Sequence, residues 1–390
     1  MSSRPRVSLI SHTYLERSYR RKLDHLALNV DLTLSSPDQF PFAYGLYRAD
    51  FSASLPYRVH VYPCRFPTGV RTSTRWMLAT RDLGFKSFRP HIIHIENEAH
   101  SFSLLQALAY RRWYAPHAKV VVFVWANQLL TGVKGIGLNA LARMMRPGID
   151  HYIAGNSDAK ALLIASGIAE NKVSVFPLIG IDVDYFSPPS ADERLRLRAG
   201  MGVTPAEFVI GFVGRFVEDK GIPDLLRAFN RLRETSNNSH VRLLFAGDGP
   251  MKPEILAACP NAIIASPGGD GRILPYYRAI DVLVLPSRTM PYWKEQFGSV
   301  LVEAMACGVP VVGSSSGAIP EVVAQAGLVF HERDATELAT RLHELAGAPE
   351  WQRLLGAAGR ERVVANFSHA RIAQQMYQVY QRLLSKQIPS

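Results

Sequence analysis

The chain has 390 residues, which is enough for two domains because a globular domain averages about 150 residues. Apolar residues make up 47% and charged residues 20%, a composition that excludes a disordered or fibrous protein. No apolar run reaches the roughly 18–20 residues of a membrane-spanning helix, and the basic start of the chain is not typical of a secretory signal. The three cysteines, Cys64, Cys259 and Cys307, follow no metal-binding spacing and favour a reducing compartment, so we expect a cytoplasmic location.

The net charge of +11 lies entirely in the first half of the chain. Residues 1–180 hold 22 lysines and arginines against 11 aspartates and glutamates, whereas residues 181–390 hold 22 of each. The first half therefore has either an ordinary basic surface or an acidic partner, such as an anionic membrane, a polyprenyl phosphate or an anionic glycan. Because no nucleic-acid-binding motif accompanies the charge, we expect no nucleic acid partner. The predicted membrane-facing cluster consists of four residues: Arg17, Arg20, Arg21 and Lys22.

The first half alternates predicted strands and helices. Strand patterns occupy residues 7–12, 57–62, 91–96, 120–126 and 151–155, and helical patterns occupy 20–28 and 101–114. Strands separated by helices are typical of a parallel sheet covered on both faces. Residues 177–189, rich in Pro, Gly and Asp, are the predicted linker.

The second half repeats this pattern. Strands are predicted at residues 209–213, 241–246, 281–285, 309–313 and 327–330, and helices at 222–232 and 370–384. We therefore predict an α/β fold of two Rossmann-like domains with parallel sheets that face each other across a cleft. The predicted domains are residues 1–180 and 181–367, with a last helix at about 368–390 packing back on the first. Such sheets bind ligands at the carboxyl ends of their strands, which places the predicted site in the cleft.

The strongest motif is the segment EQFGSVLVEAMACGVPVV, which begins at Glu295. Gly298 opens a predicted helix, and the free N–H groups of Gly298, Ser299 and Val300 would form an anion site. Glu295 precedes this turn, and Glu303 follows about one helical turn later. A diphosphate at the helix start would leave a sugar and a ribose for the two carboxylates, because sugar hydroxyls donate hydrogen bonds.

This segment resembles the E-x7-E motif of the retaining glycosyltransferases of family 4, which have the GT-B fold. Three further stretches resemble that family's motifs in the same order: VGRFVEDKG (213–221), AGDGP (246–250) and GAIPEV (317–322). The resemblance covers residues 150–390 well and the first half only in architecture. It implies a nucleoside-diphosphate sugar, UDP- or GDP-linked, as donor, and retention at the anomeric carbon.

The resemblance also implies roles for matching residues. Arg215 and Lys220 would hold the donor diphosphate, and Glu295 would contact the donor sugar near the reacting carbon. Ribose hydroxyls would be bound by Glu303. Backbone groups would contribute at Gly214, Gly247, Gly298, Ser299 and Val300, and the nucleobase would lie near residues 265–269.

The first half departs from the family in two loops. The loop after the first strand, SHTYLERSYRR, has no glycine, and the loop WANQLLTG after residues 120–126 has no histidine. Asn127 and Gln128 are candidates to replace that histidine. Glu96 and Glu98 stand at a strand's carboxyl end and are candidates to hold the acceptor or receive its proton. His12, at the end of the first strand, is either a capping group or a ligand in the cleft.

The pattern Asp182-Val183-Asp184 has the D-x-D form with which another glycosyltransferase fold binds a metal ion. Because it lies in the predicted linker beside Pro and Gly, we expect it to make turn hydrogen bonds instead. Arg215, Lys220 and the helix dipole would neutralise the leaving diphosphate. We therefore expect a metal-independent enzyme without a cofactor.

The sequence thus predicts a hexosyltransferase that transfers a sugar to a hydroxyl acceptor. The basic first half favours a lipid-linked or anionic glycan acceptor of cell-envelope or polysaccharide synthesis, and a peripheral position on the inner membrane surface. A small soluble acceptor, such as an amino sugar or a natural-product aglycone, is the alternative. Two further alternatives are a nucleotide-sugar epimerase and a non-catalytic nucleotide-sugar-binding assembly partner.

Overall fold

The computed structural model describes residues 4–42, 45–51, 54–65, 74–128, 132–235, 240–266 and 273–385. The chain divides into two compact units. Unit 1 comprises Met1–Gly180 and His369–Ser390, and unit 2 comprises Ile181–Ser368. No helix of the described ranges is long and apolar enough to cross a membrane.

The described part of unit 1 contains a seven-stranded parallel sheet and two short antiparallel hairpins. Its strands are β1 (Arg6–Ile10), β2 (Asp31–Pro37), β3 (Gln39–Phe42), β4 (Gly45–Arg48), β5 (Arg58–Tyr62), β6 (Cys64–Arg65), β7 (Met77–Leu78), β8 (Ile92–Glu96), β9 (Lys119–Val124), β10 (His151–Ala154) and β11 (Val173–Val175). The sheet order is β11-β10-β9-β8-β1-β2-β5, and the hairpins are β3–β4 and β6–β7.

The described part of unit 2 contains a six-stranded parallel sheet in the order β14-β13-β12-β15-β16-β17. Its strands are β12 (Phe208–Val213), β13 (Val241–Ala246), β14 (Ile263–Ala265), β15 (Val282–Leu285), β16 (Val311–Ser314) and β17 (Leu328–Phe330). In each unit the strand order reverses beside the first strand, between β1 and β8 and between β12 and β15. Ligands of doubly wound sheets bind at this reversal, outside the carboxyl ends of the strands.

Helices cover the sheets. They are α1 (Arg21–Ala27), α2 (Phe85–Phe88), α3 (Phe102–Tyr114), α4 (Gly132–Met145), α5 (Ser157–Ala165), α6 (Ala191–Gly200), α7 (Ile222–Thr235), α8 (Lys252–Ala258), α9 (Leu274–Ala279), α10 (Ser299–Ala306), α11 (Ile319–Val323), α12 (Ala335–Ala346), α13 (Pro349–Asn366) and α14 (His369–Ser385).

Unit 1 has an apolar core on each face of its sheet. One core includes Leu23 of α1 and Met376 of α14, and the other includes Leu104 of α3 and Leu163 of α5. Strands buried on both faces explain the near-continuous apolar runs of the sequence. The last helix of the chain therefore belongs to the hydrophobic core of unit 1.

Candidate functional site

Two glycine turns of unit 2 lie against each other at the carboxyl ends of β12 and β13. Gly214 and Gly247 have φ of +143° and +154°, values that other residues rarely adopt. A Cβ at Gly247 would stand 1.9 Å from the carbonyl oxygen of Gly214. Only glycine fits there, so the backbones of the two turns pack directly together.

Lys220 ends a short 3-10 turn that is pressed against the segment after β15. The next residue, Gly221, has φ +71°, and a Cβ there would lie 1.8 Å from the Pro286 carbonyl oxygen. The N–H of Arg288 donates to the carbonyl oxygen of Asp219 at 2.8 Å. These backbone contacts fix the position from which the Lys220 side chain extends.

The structure brings together two of the predicted residues, Lys220 and Glu295. The ammonium Nζ lies 2.6 Å from Glu295 Oε2, and the Ser287 hydroxyl donates to the same oxygen at 2.9 Å. Lys220 Nζ also lies 4.6 Å from the centre of the Trp293 ring, within cation–π range. Ser287 and Trp293 were not identified from the sequence, because neither belongs to a motif that marks it.

A buried ion pair, Arg288–Asp224, begins at the residue that follows Ser287. The Arg288 guanidinium donates to both carboxylate oxygens of Asp224, at 2.7 and 2.9 Å, and the Asp224 side chain is fully buried. The hydrogen bonds from the guanidinium to Asp224 raise the pKa of Arg288. Two parallel charge-assisted bonds are strong and directional, so this pair positions the Lys220 turn.

Helix α10 begins where the sequence predicted it. Gly298 precedes it in the left-handed conformation, φ +74°, and no side-chain hydrogen bond from the described residues caps the helix. The first N–H groups of a helix attract anions when no side chain occupies them. Ser299 is exposed and Val300 is half-buried, so the start of α10 is accessible.

Glu303 lies further along α10 and is held by Tyr277. The tyrosine hydroxyl donates to Glu303 Oε2 at 2.5 Å. Burial raises the pKa of Glu303, and the Tyr277 hydrogen bond opposes that shift. The sequence did not identify Tyr277, which α9 brings to this carboxylate.

Arg215 follows Gly214 and is exposed. No hydrogen bond or ion pair joins its side chain to another residue of the described ranges. The segment predicted to meet the nucleobase, residues 265–269, is described only as far as Ser266, and the rest lies outside the described residues.

In unit 1, His12 lies just beyond the carboxyl end of β1, among aromatic rings. The ring centroids of Phe40, Phe42 and Trp76 lie 4.1, 5.7 and 5.7 Å from that of His12. Burial lowers the pKa of His12 to about 4, so the imidazole is neutral at pH 7. Its Nδ1 has no hydrogen-bond partner in the described part of the chain.

Glu96, at the end of β8, is fully buried. Its Oε1 accepts hydrogen bonds from Lys22 Nζ at 2.9 Å and from the Tyr14 hydroxyl at 2.7 Å. Burial alone would raise the pKa of this carboxyl, but the Lys22 charge, His94 and Tyr14 outweigh it and lower the pKa. Glu96 thus holds β8 and α1 together, and its Oε2 has no partner among the described residues.

Glu98 joins the end of β8 to the end of β9. Its Oε1 accepts hydrogen bonds from the N–H groups of Trp125 and Ala126 at 2.9 and 3.0 Å. Burial raises the pKa of Glu98 to about 7, although these two N–H groups oppose the shift. Asn127 is buried and Gln128 is half-buried in the loop that follows, and residues 129–131 of this loop lie outside the described residues.

The predicted membrane-facing cluster is wrong for two of its four residues. Lys22 is 1% exposed because it pairs with Glu96 and donates to the Leu178 carbonyl oxygen at 2.6 Å. Arg20 is also buried, and its guanidinium donates to the Tyr14 carbonyl oxygen at 2.8 Å. These partners were not predictable from the sequence, because they are distant in the chain or are backbone atoms.

The D-x-D pattern makes turn hydrogen bonds, as predicted. Asp182 Oδ1 accepts from the N–H groups of Asp184 and Tyr185 at 3.2 and 3.1 Å. In the described part of the chain, no three His, Cys, Asp or Glu side chains are grouped so that they could hold a metal ion.

Comparison with known proteins places these residues in a family context. Residues 207–347 match the family model described as "Glycosyl transferases group 1". The core of unit 2 therefore matches the group 1 glycosyltransferases. The D-inositol 3-phosphate glycosyltransferase of Thermobifida fusca (strain YX) is 34% identical over 227 residues, which cover 54% of this chain. The chain matches only about half the length of this relative, because the alignment covers 50% of it.

Solved structures match over nearly the whole chain. Sucrose-phosphate synthase from Thermosynechococcus elongatus has a TM-score of 0.74 at 21% identity, covering 98% of this chain and 100% of its own. Anabaena HepE in complex with UDP has a TM-score of 0.70 at 16% identity, covering 97% and 100%. At these identities the likeness shows the fold alone. The predicted fold class, GT-B with two Rossmann-like domains and parallel sheets, is confirmed.

Proposed function

We propose that the chain is a retaining, metal-independent glycosyltransferase that uses a nucleoside-diphosphate sugar and a hydroxyl acceptor. The observation that carries this proposal is the Lys220–Glu295 pair, 2.6 Å apart. Glu295 lies four residues before Ser299, where α10 begins without a side-chain cap in the described part of the chain. A diphosphate needs cations and N–H donors, and a sugar needs a hydrogen-bond acceptor. Unit 2 offers all three in its glycine turns and at the start of α10, with Arg215 as a second cation.

The remaining donor contacts are proposed for the start and the second turn of α10. Backbone groups at Gly214, Gly247, Gly298, Ser299 and Val300 would contact phosphate or sugar. Glu303, with one oxygen held by Tyr277, would accept hydrogen bonds from ribose hydroxyls. The UDP in the complex of the similar Anabaena HepE favours a uracil base here.

Retention would follow from a same-face mechanism. Glu295 Oε2 already accepts from Lys220 and Ser287, which makes it a poor nucleophile and disfavours a covalent glycosyl–Glu295 intermediate. In the proposed step the bond between the anomeric carbon and the diphosphate oxygen breaks. The acceptor oxygen bonds to the same face of that carbon, and its proton passes to the leaving diphosphate. Lys220, Arg215 and α10 stabilise the charge on that diphosphate.

The acceptor is assigned to unit 1, where the strand order reverses between β1 and β8. His12 and Glu98 stand at these strand ends, and Asn127 and Gln128 follow β9. Unit 1 has 25 lysines and arginines against 11 aspartates and glutamates, whereas unit 2 has 19 against 22. A lipid-linked or anionic acceptor, met at the cytoplasmic membrane surface, suits this charge. The small phosphorylated acceptor in the name of the Thermobifida relative supports the alternative of a soluble one.

A thermal-shift panel of UDP-, GDP- and ADP-sugars tests the donor. A ligand at a hundred times its dissociation constant stabilises a protein by about 2.7 kcal/mol, so one nucleotide series should raise the melting temperature clearly. The stabilising donor is then incubated with the protein, and release of the nucleoside diphosphate is measured. Absence of any shift would contradict the proposal. A rise in melting temperature without donor turnover, whichever acceptor is added, would favour the alternative of a non-catalytic assembly partner.

Metal independence has its own test. We expect donor turnover to survive an excess of EDTA, because Lys220 and Arg215 take the role of the cation and Asp182 is engaged in a turn. Turnover with EDTA is compared with turnover after adding Mn²⁺ or Mg²⁺. Loss of turnover on chelation and its recovery with Mn²⁺ would overturn this part of the proposal.

A further inference from the structure

Helix α4 has apolar side chains on two of its sides, and one of these sides is uncovered. Leu141 and Met145 pack against the core of unit 1. On the outer side Val133, Ile136 and Met144 are 87%, 71% and 64% exposed. Their spacing of three and eight residues places them on one stripe of the helix. The apolar stripe of a helix normally packs against a core or a membrane.

The end of α3 adjoins the turn that follows α4 and carries a further exposed apolar side chain. Arg111 Nη1 donates to the Gly148 carbonyl oxygen at 3.1 Å, which joins α3 to that turn. Trp113, near the end of α3, is 76% exposed. An exposed tryptophan at the edge of an apolar patch is typical of side chains that lie at a membrane–water interface.

The charge of the same segment decides which partner fits. Between Glu98 and Asp150 the sequence contains six lysines and arginines and no aspartate or glutamate. Arg112 and Arg143 are exposed, and each is next in sequence to an exposed apolar side chain, Trp113 and Met144. A second copy of the chain is a poor occupant, because unit 1 carries a formal charge of +14 and would repel itself. An anionic lipid bilayer binds both kinds of side chain, because its interior accepts the apolar ones and its headgroups attract the arginines.

We propose that the α3–α4 surface, formed by Trp113, Val133, Ile136, Met144, Arg112 and Arg143, docks on an anionic lipid bilayer. The apolar side chains enter the interface, and the arginines meet the lipid phosphates. This surface replaces the Arg17–Lys22 cluster as the membrane contact. The inference deepens the proposal of a lipid-linked acceptor, and it does not depend on the donor chemistry of unit 2.

Sedimentation with vesicles tests it on the full chain. Vesicles of phosphatidylcholine with 30 to 40 mol% phosphatidylglycerol, on the order of physiological anionic content, are compared with pure phosphatidylcholine. We expect binding to the anionic vesicles that weakens with salt. Arg112→Gln/Arg143→Gln should weaken it roughly 25-fold, about fivefold per arginine. Ile136→Ser/Met144→Ser should weaken it roughly tenfold or more, because two buried apolar side chains are lost.

Two matched variants serve as controls. Leu28→Ser removes an apolar side chain of unit 1 that is 66% exposed but lies outside the surface. Arg17→Gln/Arg21→Gln removes the two exposed arginines of the cluster predicted from the sequence. Both should bind anionic vesicles like the unchanged protein. A thermal melt with and without the stabilising nucleotide sugar confirms that each variant is folded and that unit 2 is intact.

Three results would overturn the inference. They are absence of binding to anionic vesicles, equal binding by the surface variants and the unchanged protein, and a dimer in light scattering that Ile136→Ser/Met144→Ser dissociates. The last would make a second copy the occupant. A failed donor panel with intact vesicle binding would overturn the proposed function and leave this inference standing.

Discussion

Lys220 combines several contacts at one atom. Its Nζ meets the Glu295 carboxylate and the face of Trp293, and the turn that carries it is held by the Arg288–Asp224 pair. The ammonium is thus positioned before any substrate binds, and a positioned charge stabilises a transition state at little cost of reorganisation.

Replacing this ammonium should abolish most of the turnover. We expect Lys220→Ala to lower kcat by about a hundredfold or more, as loss of a group that stabilises a leaving anion usually does. The measurement is nucleoside diphosphate release at saturating donor. Arg353→Ala, which removes an exposed arginine of α13 in the same unit, is the control and should keep its rate. A near-normal rate for Lys220→Ala would refute the diphosphate assignment.

Glu98 should make stability depend on pH. Its folded-state pKa of about 7 lies above the ordinary value of 4.5, so the folded chain holds this proton more tightly than the unfolded chain. The free energy of unfolding contributed by Glu98 is therefore greatest below about pH 4.5 and falls as the pH rises through 7.

Glu98→Gln isolates this contribution. The amide oxygen can still accept from Trp125 and Ala126 N–H but does not titrate. Denaturant unfolding from pH 4.5 to 7.5 should show a smaller decline in the variant than in the unchanged protein. Identical pH slopes would mean that Glu98 has an ordinary pKa.

At the scale of elements, the glycine turns decide whether the proposed donor-binding loops can form. Gly221 and Gly202 both have positive φ, +71° and +68°. A Cβ at Gly221 would strike the Pro286 carbonyl oxygen, whereas a Cβ at Gly202 would meet nothing within 4 Å. Comparing alanine substitutions at these two glycines therefore separates the cost of backbone strain from the cost of a steric clash.

We expect Gly202→Ala to cost only the left-handed strain, about 1–2 kcal/mol of unfolding free energy. Gly221→Ala should cost more, and it should also weaken donor binding because the turn bearing Lys220 must shift. Chemical denaturation and donor titration measure the two effects. Equal losses of stability, with unchanged donor affinity in both variants, would contradict the structure of this turn.

Most sequence-predicted elements are confirmed, and the misses have physical reasons. Strand β2 was not predicted because Thr33 and Ser35 interrupt its apolar run, yet both are buried in the sheet. Glu295 and Glu303 were identifiable from the sequence because Glu303 lies in α10 and Glu295 just precedes it. Their partners Ser287 and Tyr277 come from separate segments that only tertiary packing joins.

At the scale of the molecule, α14 stabilises a unit whose other elements end almost two hundred residues earlier. Met376 is buried against the core of unit 1, and the Tyr380 hydroxyl lies 2.7 Å from His94 Nδ1. Each unit has its own core, so a lesion in α14 should act on unit 1 alone.

Met376→Ala should destabilise unit 1 by about 2–5 kcal/mol, as large-to-small core substitutions do. In scanning calorimetry the transition of unit 1 should move down by roughly 5–15 °C. The transition that the nucleotide sugar stabilises should stay in place. Gln378→Ala, at an exposed position of the same helix, is the control. A uniform shift of both transitions would show that the units unfold as one.

The two ends of unit 2 lie side by side. The Ile181 N–H donates to the Phe367 carbonyl oxygen at 2.8 Å, and Ile181 pairs with Ser368 in an isolated bridge. On the other side of this boundary, a Cβ at Gly180 would lie 2.6 Å from His369 Cα. Unit 2 is thus inserted between the two segments of unit 1, and its ends adjoin. Proteins tolerate domain insertions of this kind well. If unit 2 binds the donor and unit 1 the acceptor, as proposed, exchange of residues 181–368 between relatives should be a route, in evolution and in the laboratory, to a new donor with an unchanged acceptor.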